Sequence, residues 1–369
     1  NIDGPVGSAS AVNINSIRTN ITIKNLNITD FVYGIEINST FNSHIYNNTI
    51  YLSAVGISLA DSDNNLIMNN TITDTSSVGI GLFGLFGSSD YNKIINNILN
   101  KSYIAIGSAD STLIMGGIIQ DSKENALYLY SVIKNTTITN VTIFNTNKSF
   151  YDLLMVSQGI GYTNLIDMPH IGNYSISSNP TFSNGNLIYF KNSQYGEIRF
   201  LQLINNTGTN LTRDIRIANN SVTVESTINP GLNRSANITL YGIGDRGFDP
   251  PAILRNNLPC PVGVCNNLTA LNAIDVKLNV SYWTNYSIGS GNSSQLTNCK
   301  VLNNSGITYQ VMNNIQTIQT CFIITADNIT LDGRGFNIDG PPSGAGGSAV
   351  KTNSIRTNIT IKNLNITDF

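Results

Sequence analysis

Between residues 20 and 156 one short alternating apolar–polar string keeps returning. It reads ITIKNLNI (21–28), HIYNNTI (44–50), LIMNNTI (66–72), IINNIL (94–99), IMGGII (114–119) and ITNVTI (138–143). At its centre stand Asn25, Asn47, Asn69, Asn96, Gly116 and Asn140, at spacings of 22, 22, 27, 20 and 24 residues. A second string follows it, GIEI (34–37), GISL (56–59), GIGL (79–82) and ALYL (126–129). A strand that alternates in this way has one apolar face, which a strand so short cannot bury alone. Stacking near-identical strands in parallel buries it. Two or three strands per turn of this length is the grammar of a right-handed parallel β-helix. A β-sandwich is the competing architecture, but gives no reason for the same Asn to recur at coil spacing. Asn25, Asn47, Asn69, Asn96 and Asn140 are therefore expected to pass side-chain hydrogen bonds from coil to coil as a ladder. Gly34, Gly56 and Gly79 are expected at bends that demand positive φ.

A longer repeat overlies the short one. SIRTNITIKNLNITDF occupies 16–31 and again 354–369, and NIDGP occupies 1–5 and 337–341. The offsets are 354 − 16 = 338 and 337 − 1 = 336, so the second passage carries two extra residues between the strings. Such duplication marks one period of a tandem array plus the start of the next. Asn1 opens in mid-motif, and the expectation is a segment of a longer protein.

From 157 to 291 the coil string gives way to EIRFLQLI (197–204), SVTVES (221–226), NITLYGI (237–243) and VKLNVSYW (276–283). Short strands separated by turns lead to the expectation of an immunoglobulin-like sandwich there, with Trp283 as a core anchor. The expected fold is thus all-β, a right-handed parallel β-helix over 1–156, an Ig-like β-sandwich over 157–291, and over 292–369 a cap and the opening coils of the next helix.

The N-x-I-x-N-N-x-I pattern followed by G-I-x-L resembles the β-helix repeats of NosD-like and carbohydrate-binding or sugar-hydrolase proteins. CFIITADNITLDGRGFNIDG (321–340) resembles the opening coil of such helices in archaeal surface proteins, where a cysteine-bearing cap precedes them. WTNYSIGSG (283–291) resembles the closing strand and linker of small sandwich modules in repetitive archaeal surface proteins. The resemblance implies a helix that starts near 297 and continues in register with 1–156 of a neighbouring repeat.

Charged residues are only 11 % of the chain, against about 25 % in an average soluble protein, and net charge is −2. Without basic runs there is no electrostatic handle for nucleic acid or an anionic membrane. A neutral surface rich in Asn, Ser and Thr suits stacking and self-association. Cys260, Cys265, Cys299 and Cys321 form no C-x-x-C pair. Of the three connectivities open to them, Cys260–Cys265 and Cys299–Cys321 close short local loops in an oxidising environment. Four buried thiols is the other reading. N-x-S/T occurs roughly two dozen times, which with the cysteines favours an extracellular address at the cell surface. Asn38, Asn100, Asn173, Asn205, Asn233, Asn267, Asn292 and Asn303 are the expected N-glycan acceptors, while Asn47, Asn69 and Asn140 should stay bare to preserve the ladder.

Catalysis on a β-helix needs clustered carboxylates. Asp61, Asp63, Asp90, Asp110, Asp121 and Glu124 are the candidates, and turn residues satisfying their own backbone account for them better. His44 and His170 fall in different modules, and there is no Met/His cluster for copper. No catalytic residue, cofactor or metal site is expected. In the longest coil, GIGLFGLFG (79–87) places Leu82, Phe83, Leu85 and Phe86 among glycines, either as a core plug or as an apolar knob that meets a neighbouring filament. The expected function is structural. The chain reads as a repeat unit of a glycosylated extracellular filament, stalk or sheath, with its partners being itself or adjacent repeats. A glycan-binding adhesin and a polysaccharide-active enzyme are the alternatives.

Overall fold

A three-residue strand such as Thr22–Lys24 can point only one side chain inward, and here that residue is Ile23. The same holds for Ile45, Ile67, Ile94, Ile114 and Ile138 in the strands stacked upon it, His44–Tyr46, Leu66–Met68, Lys93–Ile95, Leu113–Met115 and Thr137–Thr139. All pair in parallel, Ile over Ile. A second column, Ile28, Ile50, Ile72, Leu99, Ile119 and Ile143, runs up the next face. The third face carries two inward residues per strand, Ile35 and Ile37, Ile57 and Leu59, Ile80 and Leu82, Ile104 and Ile106. Fully burying such a side chain stabilises by about 1.5–3 kcal/mol, so coils stabilise one another though none stands alone.

The computed structural model describes residues 1–84, 87–131, 133–157, 161–178, 187–248, 250–261, 263–291, 293–341 and 347–369. The chain forms two units, Asn1–Tyr241 with Lys277–Thr284, and Gly242–Val276 with Asn285–Phe369.

In the first unit the polar ladder is displaced by one residue from its expected place. Asn25, Asn47, Asn69, Asn96 and Asn140 all have φ between 52° and 58°, and their side chains are exposed. They turn the corner, because Asn tolerates the left-handed conformation that the bend requires. The next residue swings inward, and there Asn48, Asn70 and Asn97 are buried. Asn48 Nδ2 donates to Asn70 Oδ1 and Asn70 Nδ2 to Asn97 Oδ1, each at 3.0 Å. The same oxygens accept the backbone N–H groups of Asn48 and Asn70 at 3.0 and 2.9 Å. A second column, unforeseen in the sequence, runs through Ser43, Asn65 and Asn92. Ser43 N–H donates to Asn65 Oδ1 at 2.9 Å and Asn65 N–H to Asn92 Oδ1 at 2.8 Å.

The glycines also differ from expectation. Gly34, Gly56 and Gly79 are not among the residues with positive φ. They are needed for close approach: a Cβ on Gly34 would lie 2.7 Å from the Gly56 carbonyl oxygen, and one on Gly56 2.5 Å from that of Gly79.

Parallel pairing crosses the expected boundary at 156. Leu127–Ser131, Leu153–Ser157 and Tyr174–Ser178 stack in order, as do Thr137–Thr139, Tyr162–Ile166 and Leu187–Asn192. Only then does direction reverse. Gly196–Phe200 pairs antiparallel with Leu187–Asn192, and Ala236–Leu240 with Gly196–Phe200. These strands, expected within a separate sandwich, lengthen a sheet of the helix instead, because Ile188, Phe190, Ile198, Phe200 and Ile238 keep its apolar column unbroken. Trp283 is a core anchor. Its ring centroid is 5.6 Å from that of Phe200, and its Nε1 donates to the Arg234 carbonyl at 2.6 Å.

Among the described residues the second unit carries three parallel stacks, one of which runs Ser293–Leu296, Thr308–Val311, Thr330–Asp332 and Thr360–Lys362. An antiparallel pair, Pro251–Arg255 with Asn285–Ser290, lies in the same unit. Both local cysteine pairs are disulfides, Cys260–Cys265 and Cys299–Cys321. The second staples adjacent coils, since the following residues Lys300 and Phe322 are themselves paired. Closing a loop of this length stabilises by about 3 kcal/mol in the chain-entropy model. Replacing Cys299 and Cys321 by serine is expected to lower the calorimetric melting transition of this unit, with the first unit's transition unmoved.

Candidate functional site

The duplicated string supplies a natural comparison within one molecule. Its TIK segment forms Thr22–Lys24 in the first unit and Thr360–Lys362 in the second. The first is covered by His44–Tyr46 in register Thr22↔His44, Ile23↔Ile45, Lys24↔Tyr46. The second is covered on its opposite edge, in register Thr330↔Thr360, Leu331↔Ile361, Asp332↔Lys362. The NIT segment keeps its preceding neighbour in both copies, with Ile2↔Ile28 and Asp3↔Thr29 in the first and Ile338↔Ile366 and Asp339↔Thr367 in the second, and the first copy is also paired with the coil after it, Ile28↔Ile50. NID therefore lies against NIT in the same register twice. The two extra residues fall between the matched strings, around residues 342–346, which lie outside the described residues.

Covering decides what the same residues expose. Ile23 and Ile28 are 7 % and 1 % exposed, whereas their equivalents Ile361 and Ile366 are 48 % and 50 % exposed. Polar groups hold the exposed rung in place. Asn363 Nδ2 donates to Asp332 Oδ1 at 3.1 Å, Lys362 Nζ lies 3.4 Å from Asp332 Oδ2, and Thr367 Oγ1 donates to Asp339 Oδ1 at 2.6 Å. Burial pushes the Asp332 carboxyl up, but hydrogen bonds from the Arg334 N–H and Asn363, with the Lys362 charge, more than offset this and hold it below the ordinary value of 3.8. A depressed carboxyl stabilises fully above its unfolded pKa and ceases to as pH falls through the folded one. Protection of the Thr360–Lys362 amides, measured against their intrinsic exchange rates, is therefore expected to fall on acidification below pH 3.8, and Asp332→Asn should flatten that dependence.

Of the carboxylates weighed for catalysis, Asp61, Asp63, Asp90 and Asp110 accept backbone N–H groups of adjoining coils. Asp63 Oδ1 accepts from the Asp90 N–H, Asp90 Oδ1 from that of Asp110, and Asp110 Oδ1 from that of Lys134, at 2.7, 2.7 and 2.9 Å. Asp61 Oδ1 accepts from the Gly87 N–H at 2.9 Å, and Asp121 Oδ1 from Asn145 Nδ2 at 3.2 Å. Burial, then the neighbouring charges of Asp90 and Asp61, push the Asp63 carboxyl up despite the Asp90 N–H bond. Glu124 is exposed.

Sequence reasoning did not single out Glu197. Its carboxylate accepts the hydroxyls of Tyr189, Tyr241 and Thr239, the last two at 3.0 Å. Burial alone would raise its pKa, and these three bonds with Lys191 lower it below 4.5. A carboxylate so fully engaged is poor at giving or taking a proton. Beside it the Arg199 guanidinium lies over the Tyr162 and Tyr189 rings, at 4.6 and 5.4 Å from their centroids.

The remaining expected residues are dispersed. Leu82 is wholly buried in the core. Phe83 is half-buried and folds over Gly81, against Val78, Tyr103 and Ala105. Leu85 and Phe86 lie outside the described residues, as does Asn292. Asn205, Asn267 and Asn303 are exposed, whereas Asn38, Asn100 and Asn173 are half-buried. Asn233 is engaged, its Oδ1 accepting the Trp283 N–H at 2.9 Å. Asn47, Asn69 and Asn140 point outward, so the ladder gives no reason for them to stay bare.

The family model for periplasmic copper-binding protein (NosD) matches residues 6–112. No curated protein matches the chain. Solved structures that it is similar to include two variants of the catalytic domain of a GH87 alpha-1,3-glucanase in complex with nigerose. Each is 10 % identical over 98 % of this chain and 61 % of that one, with TM-scores of 0.18 and 0.17. The residues present do not fit copper. Both cysteine pairs are oxidised, His44 and His170 are exposed and stand in separate parts of the first unit, and among the described residues no group of three or more His, Cys, Asp or Glu is placed to hold a metal. Disulfides and this family likeness point to an exported protein. Among the described residues no helix is long and apolar enough to cross a membrane.

Proposed function

We propose that this chain is a structural repeat unit of a glycosylated extracellular filament, stalk or sheath at the cell surface, its role mechanical rather than catalytic. The observation that carries this reading is the repeated register of NID against NIT, at Ile2↔Ile28 and Asp3↔Thr29 and again at Ile338↔Ile366 and Asp339↔Thr367. A coil like that of residues 32–51 stacked on the second rung would cover Ile361 and Ile366 as it covers Ile23 and Ile28, at about 1 kcal/mol each. Backbone hydrogen bonds along such a stack give stiffness, and the two local disulfides resist unravelling and proteolysis. Partners, in this reading, are adjacent copies, and N-linked glycans sit on exposed sequons such as Asn205, Asn267 and Asn303.

The test is a polypeptide in which residue 369 is joined to residue 32 of a second copy. Electron micrographs should show rods with a regular axial repeat, and the amides of Ile361 and Ile366 should become as slow to exchange as those of Ile23 and Ile28. Separate globules, or no gain in protection at these residues, would reject the reading.

A further inference from the structure

We propose that a cavity where the parallel stack of the first unit stops binds a single-chain anionic amphiphile, its tail inside and its head at the mouth. The inference is independent of the stacking role above. The cavity holds about 510 Å³, and all its lining residues belong to the first unit. Protein interiors contain few voids larger than a water molecule, so a space of this size needs a cause. The succession of coils supplies it. Ile166 pairs in register with Thr139, which puts Asp167 at the corner that Asn140 turns one coil earlier. Asp167 turns it likewise, with φ of 48° against 54°. Met168 follows, at the register position that Asn48, Asn70 and Asn97 hold in earlier coils. The next strand, Leu187–Asn192, turns back into Gly196–Phe200 and adds no further corner over Met168. A short helix, Leu211–Asp214, and the strand Ile215–Ala218 line the space instead. They are clipped to the coil at Ile171 and Gly172. The Leu211 N–H donates to the Gly172 carbonyl at 3.2 Å and the Thr212 N–H to that of Ile171 at 3.3 Å, while the Ile171 N–H donates to Thr212 Oγ1 at 2.7 Å.

The lining dictates the ligand. Leu165, Ile171, Phe190, Leu211, Ile215 and Ile217 form the wall, and the first five are buried. Polar groups at the lining are taken up by the chain itself. Thr212 Oγ1 serves the Ile171 N–H, Asp167 Oδ1 accepts the Ser193 N–H at 2.7 Å, and Asn192 Oδ1 accepts those of Gln194 and Tyr195 at 3.0 and 3.1 Å. A sugar or a nucleotide would bury its hydroxyls and amides against this wall without partners, which is costly. An alkyl chain makes no such demand. Two cations, Lys191 and Arg216, stand at the lining against one carboxylate, Asp167. Arg216 lies 3.8 Å from Glu225 with both side chains well exposed, a pair worth little in water and open to a second anion. Pro169, Arg216 and Ala218 are exposed and mark the mouth. An apolar wall with excess positive charge at its mouth fits a tail that ends in a carboxylate or a phosphate.

Titration calorimetry of the whole chain with straight-chain carboxylates, from hexanoate to hexadecanoate below their micelle concentrations, tests this. One site per chain is expected. Each added methylene should tighten binding about fourfold, until the tail fills the cavity and the gain stops. Dodecyl phosphate in place of dodecanoate tells a phosphate head from a carboxylate, and tight binding of either supports the proposal. Dodecyltrimethylammonium bound as tightly as both overturns it. Ala218→Trp, a change at the exposed mouth, should abolish binding while the melting temperature stays. Arg216→Glu should weaken dodecanoate by about fivefold. Hydrogen exchange depends on no variant: dodecanoate should slow the amides of Ile171 and Ile215–Ala218 and leave those of Thr22–Lys24 unchanged. Several weak sites, an affinity that climbs through every chain length, full binding by a folded Ala218→Trp protein, or equal slowing in both regions overturns the proposal.

Discussion

Asn70→Ala is expected to destabilise the first unit by about 3 kcal/mol, because it strips one oxygen that serves two buried donors. Asn70 Oδ1 accepts both the backbone N–H and the side-chain amide of Asn48. Asn70 Nδ2 in turn donates to the Ile45 carbonyl at 3.0 Å and to Asn97 Oδ1. Alanine leaves the Asn48 N–H with no water in reach, since Asn48 itself is buried. The neighbouring substitution is the informative control. Asn69 is exposed with φ of 54°, a conformation glycine adopts without penalty. Asn69→Gly should therefore shift the urea midpoint little, and Asn69→Ala should cost only about 1 kcal/mol. If Asn69→Ala proves the more damaging of the two alanine variants, the ladder has been placed on the wrong residue.

Gly56→Ala is expected to be comparably damaging, at about 3 kcal/mol, for a reason unrelated to backbone conformation. The new methyl would stand 2.5 Å from the Gly79 carbonyl oxygen and 2.7 Å from Ile72 Cγ2. The first is backbone, paired in the next coil, and Ile72 is itself fully buried, so neither can yield cheaply. Gly242 is the contrast: its φ is 63° and a Cβ there meets nothing within 4 Å. Gly242→Ala should show only the cost of a left-handed alanine, about 1 kcal/mol. Thermal unfolding of the two variants separates crowding from conformational strain. A Gly56→Ala protein melting with the wild type would mean that the coils do not approach as closely as described.

Much of the stack was legible from its period. One apolar residue between polar neighbours, recurring at coil spacing, leaves parallel stacking as the economical way to bury it, and Ile45 over Ile23 follows directly. The local cysteine pairs were legible too, because short separations restrict the geometry. The helix past 156 was not. Its corners no longer use the Asn-Asn pair, although Leu153, Met155, Leu165 and Ile188 keep the inward column. The strands that then reverse direction could be read from alternation as strands, but alternation does not say which sheet they join.

The amino-acid sequence alone determined that this protein stacks repeated rungs and carries the same rung twice, because burial of an apolar residue at fixed spacing is a one-dimensional property. Tertiary structure decided which member of each Asn-Asn pair faces inward, since a left-handed corner rotates the chain between them. It also decided that Gly56 serves close approach rather than a bend, and that NID lies against NIT in one register in both copies. Each of these depends on the neighbouring coil, about 20 or more residues away in sequence and one strand spacing away in space.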